Sequence, residues 1–215
     1  MDESLPLQKL FRDLAGEFEQ ERLRRLGRGE PDDGLPGVLA SPQLDGAVGR
    51  LLDSYLSAGH DDWKLHTSFS DLGYGRSRVG ISRDVEVLVL SWTPGQASSV
   101  HDHGGGRCWL GCVAGEAREE RYLAPAEDEE TEENIDPNAD AGGTSTARAS
   151  APRPLTFLSE ARLRPAERSY IDDSMALHSV SCPREAAGPG TVTVHIYAPP
   201  ITKGHSFTKD GRRLA

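Results

Sequence analysis

The sequence predicts a mainly β protein, an antiparallel barrel or sandwich preceded by short helices. Three observations carry this prediction. Helical apolar periodicity is confined to the chain before residue 70, and β-branched or alternating segments begin at Val85. The segments that follow are short and separated by turn signals, with no helical pattern between them, which argues against the crossover helices that a parallel sheet needs.

Taken in order, Leu7, Leu10, Phe11, Leu14 and Phe18 recur at the i, i+3, i+4, i+7 spacing of an amphipathic helix. Leu44, Val48, Leu51, Leu52 and Tyr55 repeat the pattern after the Pro- and Gly-rich break "GEPDDGLPGVLASP". From Val85, "VEVLVLSW" is β-branched and apolar and reads as a buried strand. "CWLGCVAGEAREERYL" alternates apolar with polar, and "TVTVHIYAPP" alternates again until its prolines end it. No internal repeat is evident. With 215 residues and 23.3 kDa the chain has the length of one domain with a sizeable core. We therefore expect a helical segment over residues 1–70 packed on a β-barrel over residues 71–215.

Composition narrows the function classes. The apolar share of 36% and charged share of 27% are those of a soluble globular protein, and no apolar run approaches the roughly 20 residues that span a bilayer. The N-terminal "MDESLPLQKLFRDL" lacks a basic region followed by an apolar one, so the expected compartment is the cytoplasm. The three cysteines form no disulfide framework, and reduced thiols fit better. Net charge is -10, and seven acidic residues fall between Glu127 and Asp136. That run passes into a Pro-, Gly-, Ala-, Ser- and Thr-rich stretch that cannot bury enough apolar surface to order itself, so about residues 126–153 read as an acidic insertion on the surface. No basic patch with interleaved aromatic residues accompanies it, so neither nucleic acid nor membrane is expected as a partner. A monomer is expected.

The segment "SVHDHGGGRCWLGCVAG" concentrates the chemistry. In an extended strand residues i and i+2 share a face, so His101 and His103 can present both imidazoles to one point while Asp102 faces away. This is half of a metal site. A third ligand from another strand completes a facial set with open positions for substrate and dioxygen, and His178, with apolar neighbours in "SMALHSVSC", is the candidate.

The wider segment "GQASSVHDHGGGRCWLGCVAG" resembles the first cupin motif, with Gly95, His101, His103 and Gly115 at its positions. Cys108 stands where most cupins have Glu, the hallmark of the cysteine dioxygenase family. "DWKLHTSFSDLGYGRS" resembles that family's Tyr-x-Arg segment, "ALHSVSCP" the segment with its third metal histidine, and "VHIYAPPITKGHSF" its His-x-Tyr-x-Pro-Pro strand. The resemblance covers roughly residues 40 to 210 apart from the acidic insertion. It implies a cupin-type antiparallel β-barrel, or jelly-roll, and an iron-dependent oxidation of the L-cysteine thiol by dioxygen to cysteine sulfinic acid.

The resemblance further implies that His101, His103 and His178 bind one Fe(II). Three neutral imidazoles leave the ion at full charge, which suits an anionic thiolate. Arg76 would pair with the substrate carboxylate as a planar fork, supported by Tyr74. Arg78 shares the strand face, and Arg76 is preferred because Tyr74-Gly75-Arg76 matches the family's Tyr-x-Arg. Cys108 and Tyr197 are the partners that form a thioether crosslink in relatives. His195, with Thr193 behind it, would orient the Tyr197 phenol, and Trp92 and the Pro199-Pro200 turn would shape the pocket. Departures from the family are Thr193 in place of Ser, Gly204 in place of a Cys near the entrance, and Cys182 in place of Asn. Two other readings remain open: a dioxygenase for 3-mercaptopropionate or cysteamine, and a non-catalytic metal-binding cupin.

Overall fold

The computed structural model describes residues 4–30, 41–124, 153–186, 188–202 and 204–214. Of the acidic insertion expected from the sequence, residues 126–152 lie outside the described residues. Two α-helices, α1 (Pro6–Gly27) and α2 (Pro42–Ser57), and a 3-10 turn (Asp62–His66) precede the strands, as the periodicity predicts. At 22 residues, α1 is longer than the short helix expected. Proline stands in the first turn of both helices, where its missing N–H costs nothing. The Ser41 hydroxyl caps α2 by accepting from the Leu44 amide at 3.1 Å. For α1 the cap comes from afar: the Asp62 carboxylate accepts from the Leu7 amide at 2.6 Å and from the Tyr55 hydroxyl at 2.9 Å, tying both helices to the 3-10 turn.

The strands are β1 (Gly75–Ile81), β2 (Glu86–Trp92), β3 (Val100–His101), β4 (Arg107–Ala114), β5 (Ala117–Tyr122), β6 (Phe157–Leu163), β7 (Arg168–Asp172), β8 (Leu177–Ser181), β9 (Thr191–Ala198), β10 (Ser206–Phe207) and β11 (Arg213–Leu214). They form two sheets, β1-β2-β9-β4-β7 and β11-β10-β3-β8-β5-β6, and every named strand pair is antiparallel. This is the mainly β, cupin-type architecture that the sequence implies.

Alternation along β2 and β9 explains how one sheet serves two cores. Val85, Val87 and Val89, with Val192, Val194 and Ile196, pack against Leu7, Leu14, Phe18, Val48 and Leu52 of the helices. Leu88, Leu90 and Trp92, with Tyr197, point the other way and meet Cys108, Leu110, Ile171 and Val180 between the sheets. The polar letters of "TVTVHIYA" therefore do not face solvent: Thr191, Thr193, His195 and Tyr197 are all buried inside the barrel. A strand buried on both faces has no cheap place for a hydroxyl or imidazole unless a partner takes it. Their partners make up the site.

Candidate metal centre

His101 closes β3, paired with His178 of β8 on one side and Ser206 of β10 on the other. The expected single strand carrying both His101 and His103 is not formed, because β3 ends at His101. Gly104 and Gly105 take φ of 62° and 86°, left-handed values that turn the chain and that side chains resist. The turn is fixed by the Asp173 carboxylate, which accepts from the His103 amide at 2.7 Å and from the Gly105 amide at 2.5 Å. His103 thus reaches the common point from a loop rather than from the strand face.

The candidate ligand atoms of His101, His103 and His178 all lie within 4.8 Å of one another. Each imidazole is braced from behind through Nδ1. His101 Nδ1 lies 2.9 Å from the Ser99 carbonyl, His103 Nδ1 3.3 Å from the Asp173 carboxylate, and His178 Nδ1 2.9 Å from the Glu119 carboxylate. A carbonyl or ionised carboxylate can only accept, so each Nδ1 carries the proton and each Nε2 keeps its lone pair. The Nε2 of His103 is buried without a hydrogen-bond partner. Such an orphaned acceptor is what a metal ligand leaves when the ion is not counted. Burial, reinforced by the neighbouring His178, pushes His101 down to about 3, and burial lowers His178 as well, so both are neutral and able to ligate near neutral pH. Three convergent imidazoles with carboxylates and a carbonyl behind them fit a divalent first-row metal.

Glu119 belongs to a buried chain of its own. Its second oxygen accepts from the Ser169 hydroxyl at 2.6 Å and from Arg121 at 3.1 Å. Burial alone would raise its pKa, but the hydrogen bonds from His178 and Ser169 and the charge of Arg121 hold it below the ordinary value. Asp173 is likewise held low against burial, by hydrogen bonds from His103 and the Gly105 amide. Two carboxylates, Glu119 and Asp173, thus stand directly behind the histidines.

Tyr197 and Cys108 are directly opposite each other on β9 and β4, a separation at which side chains on one face touch. Both approach His195 Nδ1, the Tyr197 hydroxyl at 3.0 Å and the Cys108 sulfur at 3.8 Å. Behind them the Trp92 indole donates to Thr193 Oγ1 at 2.9 Å, and Thr193 Oγ1 lies 2.9 Å from His195 Nε2. The indole can only donate, and from it a continuous buried chain runs through the Thr193 hydroxyl and the His195 ring to the Tyr197 oxygen. Burial keeps His195 neutral and pushes the Tyr197 and Cys108 acids well above their ordinary values.

The pocket at this end of the barrel holds about 190 Å³ and is lined by Tyr74, Arg76, His101, Asp102, Tyr197, Ile201, Gly204 and His205, with Ser98, Ser99 and Ser206. Arg76 is exposed and carries no hydrogen bond or ion pair among the described residues, whereas the Arg78 guanidinium donates to Glu86 at 2.7 Å. Of the two arginines, only Arg76 has a free fork at the pocket. Trp92 and the Pro199-Pro200 turn do not line it. Trp92 works one layer back, with Tyr74 stacked on it at a centroid distance of 4.2 Å.

Residues 44–210 match the sequence model of the family described as "Cysteine dioxygenase type I". The chain belongs to that family. Its curated relatives include cysteine dioxygenase type 1 of Rattus norvegicus, 27% identical over 161 residues that make up 74% of this chain and 68% of that one. The Homo sapiens protein of the same description is 26% identical over the same shares. Among solved structures, a Klebsiella pneumoniae protein with a double-stranded β-helix domain aligns at 16% identity and a TM-score of 0.42, covering 67% of this chain and 93% of that one.

The cysteine dioxygenase family match takes in every residue of the centre and leaves α1 outside it. Sequence reasoning missed Glu119, Asp173 and the pair His205–Asp102, which meets at 2.7 Å on the pocket rim. Glu119 stands in "AREERY", where charges occupy both faces of the strand, so alternation gave no sign of which one turns inward. Asp173 adjoins Asp172 just after β7, and only the fold shows that it reaches across to the "HDHGG" turn.

Proposed function

We propose that this member of the cysteine dioxygenase family is a cysteine dioxygenase, oxidising the thiol of L-cysteine with dioxygen to cysteine sulfinic acid. The reaction balances as RSH + O2 → RSO2H: two S–O bonds form, the O–O bond is broken, and the sulfur is oxidised as the oxygen is reduced. The reading is carried by one observation, the three back-braced imidazoles converging beside Arg76 and the Tyr197–Cys108–His195 cluster. His101, His103 and His178 would hold a single Fe(II), which supplies a positive centre where a thiolate and dioxygen can meet.

The other roles belong to the chain's own groups. Arg76 binds the substrate carboxylate with its unpaired fork, and Tyr74, held against Trp92, fills the wall beside it. Tyr197 sets its phenol beside the reacting end of the substrate, and His195, 3.0 Å from the phenol oxygen, holds it in position. Cys108 and Tyr197, opposite each other on neighbouring strands, would join in a thioether: a C–S bond forms, the S–H and one ring C–H bond break, and the two hydrogens with their electrons pass to dioxygen. We infer a cytoplasmic monomer whose partners are L-cysteine and dioxygen.

The test is oxygen uptake by protein loaded anaerobically with Fe(II), comparing L-cysteine, 3-mercaptopropionate and cysteamine, with the product identified by mass spectrometry. Uptake fastest with L-cysteine and matched by cysteine sulfinate is the expected result. Faster turnover of 3-mercaptopropionate would reassign the substrate, and no uptake with metal bound would leave a non-catalytic cupin.

A further inference from the structure

We propose that the Asp102–His205 pair at the pocket mouth is a size filter that admits a free amino-acid thiol and rejects thiols extended by an acyl group or a second residue. The inference rests on the proposed thiol substrate and adds a specificity-determining residue to it. Asp102 lies between the strand ligand His101 and the loop ligand His103, yet its side chain is turned to the opposite loop. One carboxylate oxygen accepts from the His205 amide at 2.8 Å and from the Gly104 amide at 3.1 Å. The other lies 2.7 Å from His205 Nδ1, and the Asp102 amide donates back to the His205 carbonyl at 3.1 Å. Two segments far apart in sequence are thereby laced together at the rim, and Ser206 pairs with His101 next to them.

The lacing fixes the His205 ring, since one nitrogen is committed to a carboxylate that is itself held by backbone amides. His205 lines the pocket while its side chain remains 47% exposed, so it stands at the boundary between cavity and solvent. Gly204 makes room for this: a Cβ there would lie 3.2 Å from both the carbonyl and a carboxylate oxygen of Asp102, crowding the clamp. Arg76 lines the same pocket, so a substrate anchored there by its carboxylate has its remaining substituents beside this laced rim. The half-open pocket of about 190 Å³ is smaller than the roughly 300–1,000 Å³ of drug-sized ligand sites and suits a molecule of amino-acid size. Larger thiols are excluded by sterics rather than by charge.

The filter is tested with metal-loaded full-length protein carrying His205→Ala or Asp102→Asn. Anaerobic calorimetry gives Kd, and oxygen uptake gives kcat/KM, for L-cysteine, N-acetyl-L-cysteine and L-cysteinylglycine. We expect both variants to improve the extended thiols relative to L-cysteine by at least tenfold in Kd ratio, with a parallel gain in kcat/KM ratio. Ratios within twofold of the unmodified protein in both variants would overturn the filter. If the unmodified protein binds L-cysteine selectively but oxidises no thiol, the reaction assignment fails while the binding ratios still decide the filter. Where one variant does not fold, the other decides.

Discussion

Replacing Glu119 by Gln removes one charge and almost no volume from behind the metal centre. In the native arrangement the carboxylate stands 2.9 Å from His178 Nδ1, with both side chains about 1% exposed, so the interaction is hardly screened by water. An ionised acceptor makes the Nδ1–H bond roughly twice as strong as a neutral one and raises the donor strength of Nε2 on the same ring. Removing such a partner typically costs about 10- to 100-fold in metal affinity, or about 1.4–2.8 kcal/mol at 1.4 kcal/mol per tenfold. Fold stability should suffer less than the 3–5 kcal/mol typical of a broken buried ion pair. Arg121 is 21% exposed and keeps the Ser169 hydroxyl at 2.8 Å and the Tyr170 carbonyl at 2.7 Å as acceptors. The assay is chelator competition for Fe(II) or Zn(II) on Glu119→Gln, alongside urea unfolding of the same samples. Metal affinity within twofold of the unmodified protein, in a variant that stays folded, would refute the claim that this carboxylate tunes His178.

Arg76→Ala should raise KM for L-cysteine by about 10- to 100-fold, the worth of a charged, forked hydrogen bond, while Arg78→Ala should change it little; steady-state oxygen uptake separates the two. Peptide mapping of active protein should find the Cys108 and Tyr197 peptides joined by a bond that reductant does not break, and two separate peptides in fully active enzyme would dismiss the crosslink. Leu52, fully buried between α2 and the sheet, should cost about 2–5 kcal/mol on truncation to Ala, read from chemical unfolding. Acid should destabilise the fold: burial alone would raise Glu119, Glu120, Asp172 and Asp173, but the hydrogen bonds they receive hold all four below the ordinary 4.5 or 3.8. The unfolded chain therefore takes up protons first as pH falls below about 4.5, so stability present at neutral pH is lost as pH drops through the folded values; unfolding midpoints measured from pH 6 to about 3 should fall monotonically.

Much of this was legible in the sequence, for identifiable reasons. Local periodicity found both helices because their apolar stripes, Leu7 to Phe18 and Leu44 to Tyr55, join one core with each other and the sheet. The strand patterns of β2 and β9 were equally plain. Family likeness supplied the roles of Cys108, Tyr197, Arg76 and the three histidines, which periodicity alone could not. What escaped was long-range. In the sequence the preference for Arg76 over Arg78 rests on the Tyr-x-Arg likeness, and the physical reason, Glu86 engaging Arg78, lies in the fold. The bracing of His178 depends on which charge of "AREERY" points inward, and that of His103 on a carboxylate 70 residues away. His103 also shows where a local rule gave way: glycine turn geometry ended the strand that the His-x-His spacing suggested.

The two-sided burial of β9 has a consequence for how this protein can change over time. Val192, Val194 and Ile196 serve the helix-facing core, while Thr193, His195 and Tyr197 serve the site, so consecutive letters answer to separate demands. Drift among β-branched apolar residues at the first set can retune thermal tolerance without touching the chemistry. Exchange at the second set can alter reactivity while the helices stay docked. An insertion or deletion of one residue, by contrast, would exchange the two sets wholesale, placing a hydrogen-bonded imidazole against leucines and a valine beside the histidines. Such a lineage could vary by substitution on this strand, but scarcely by length.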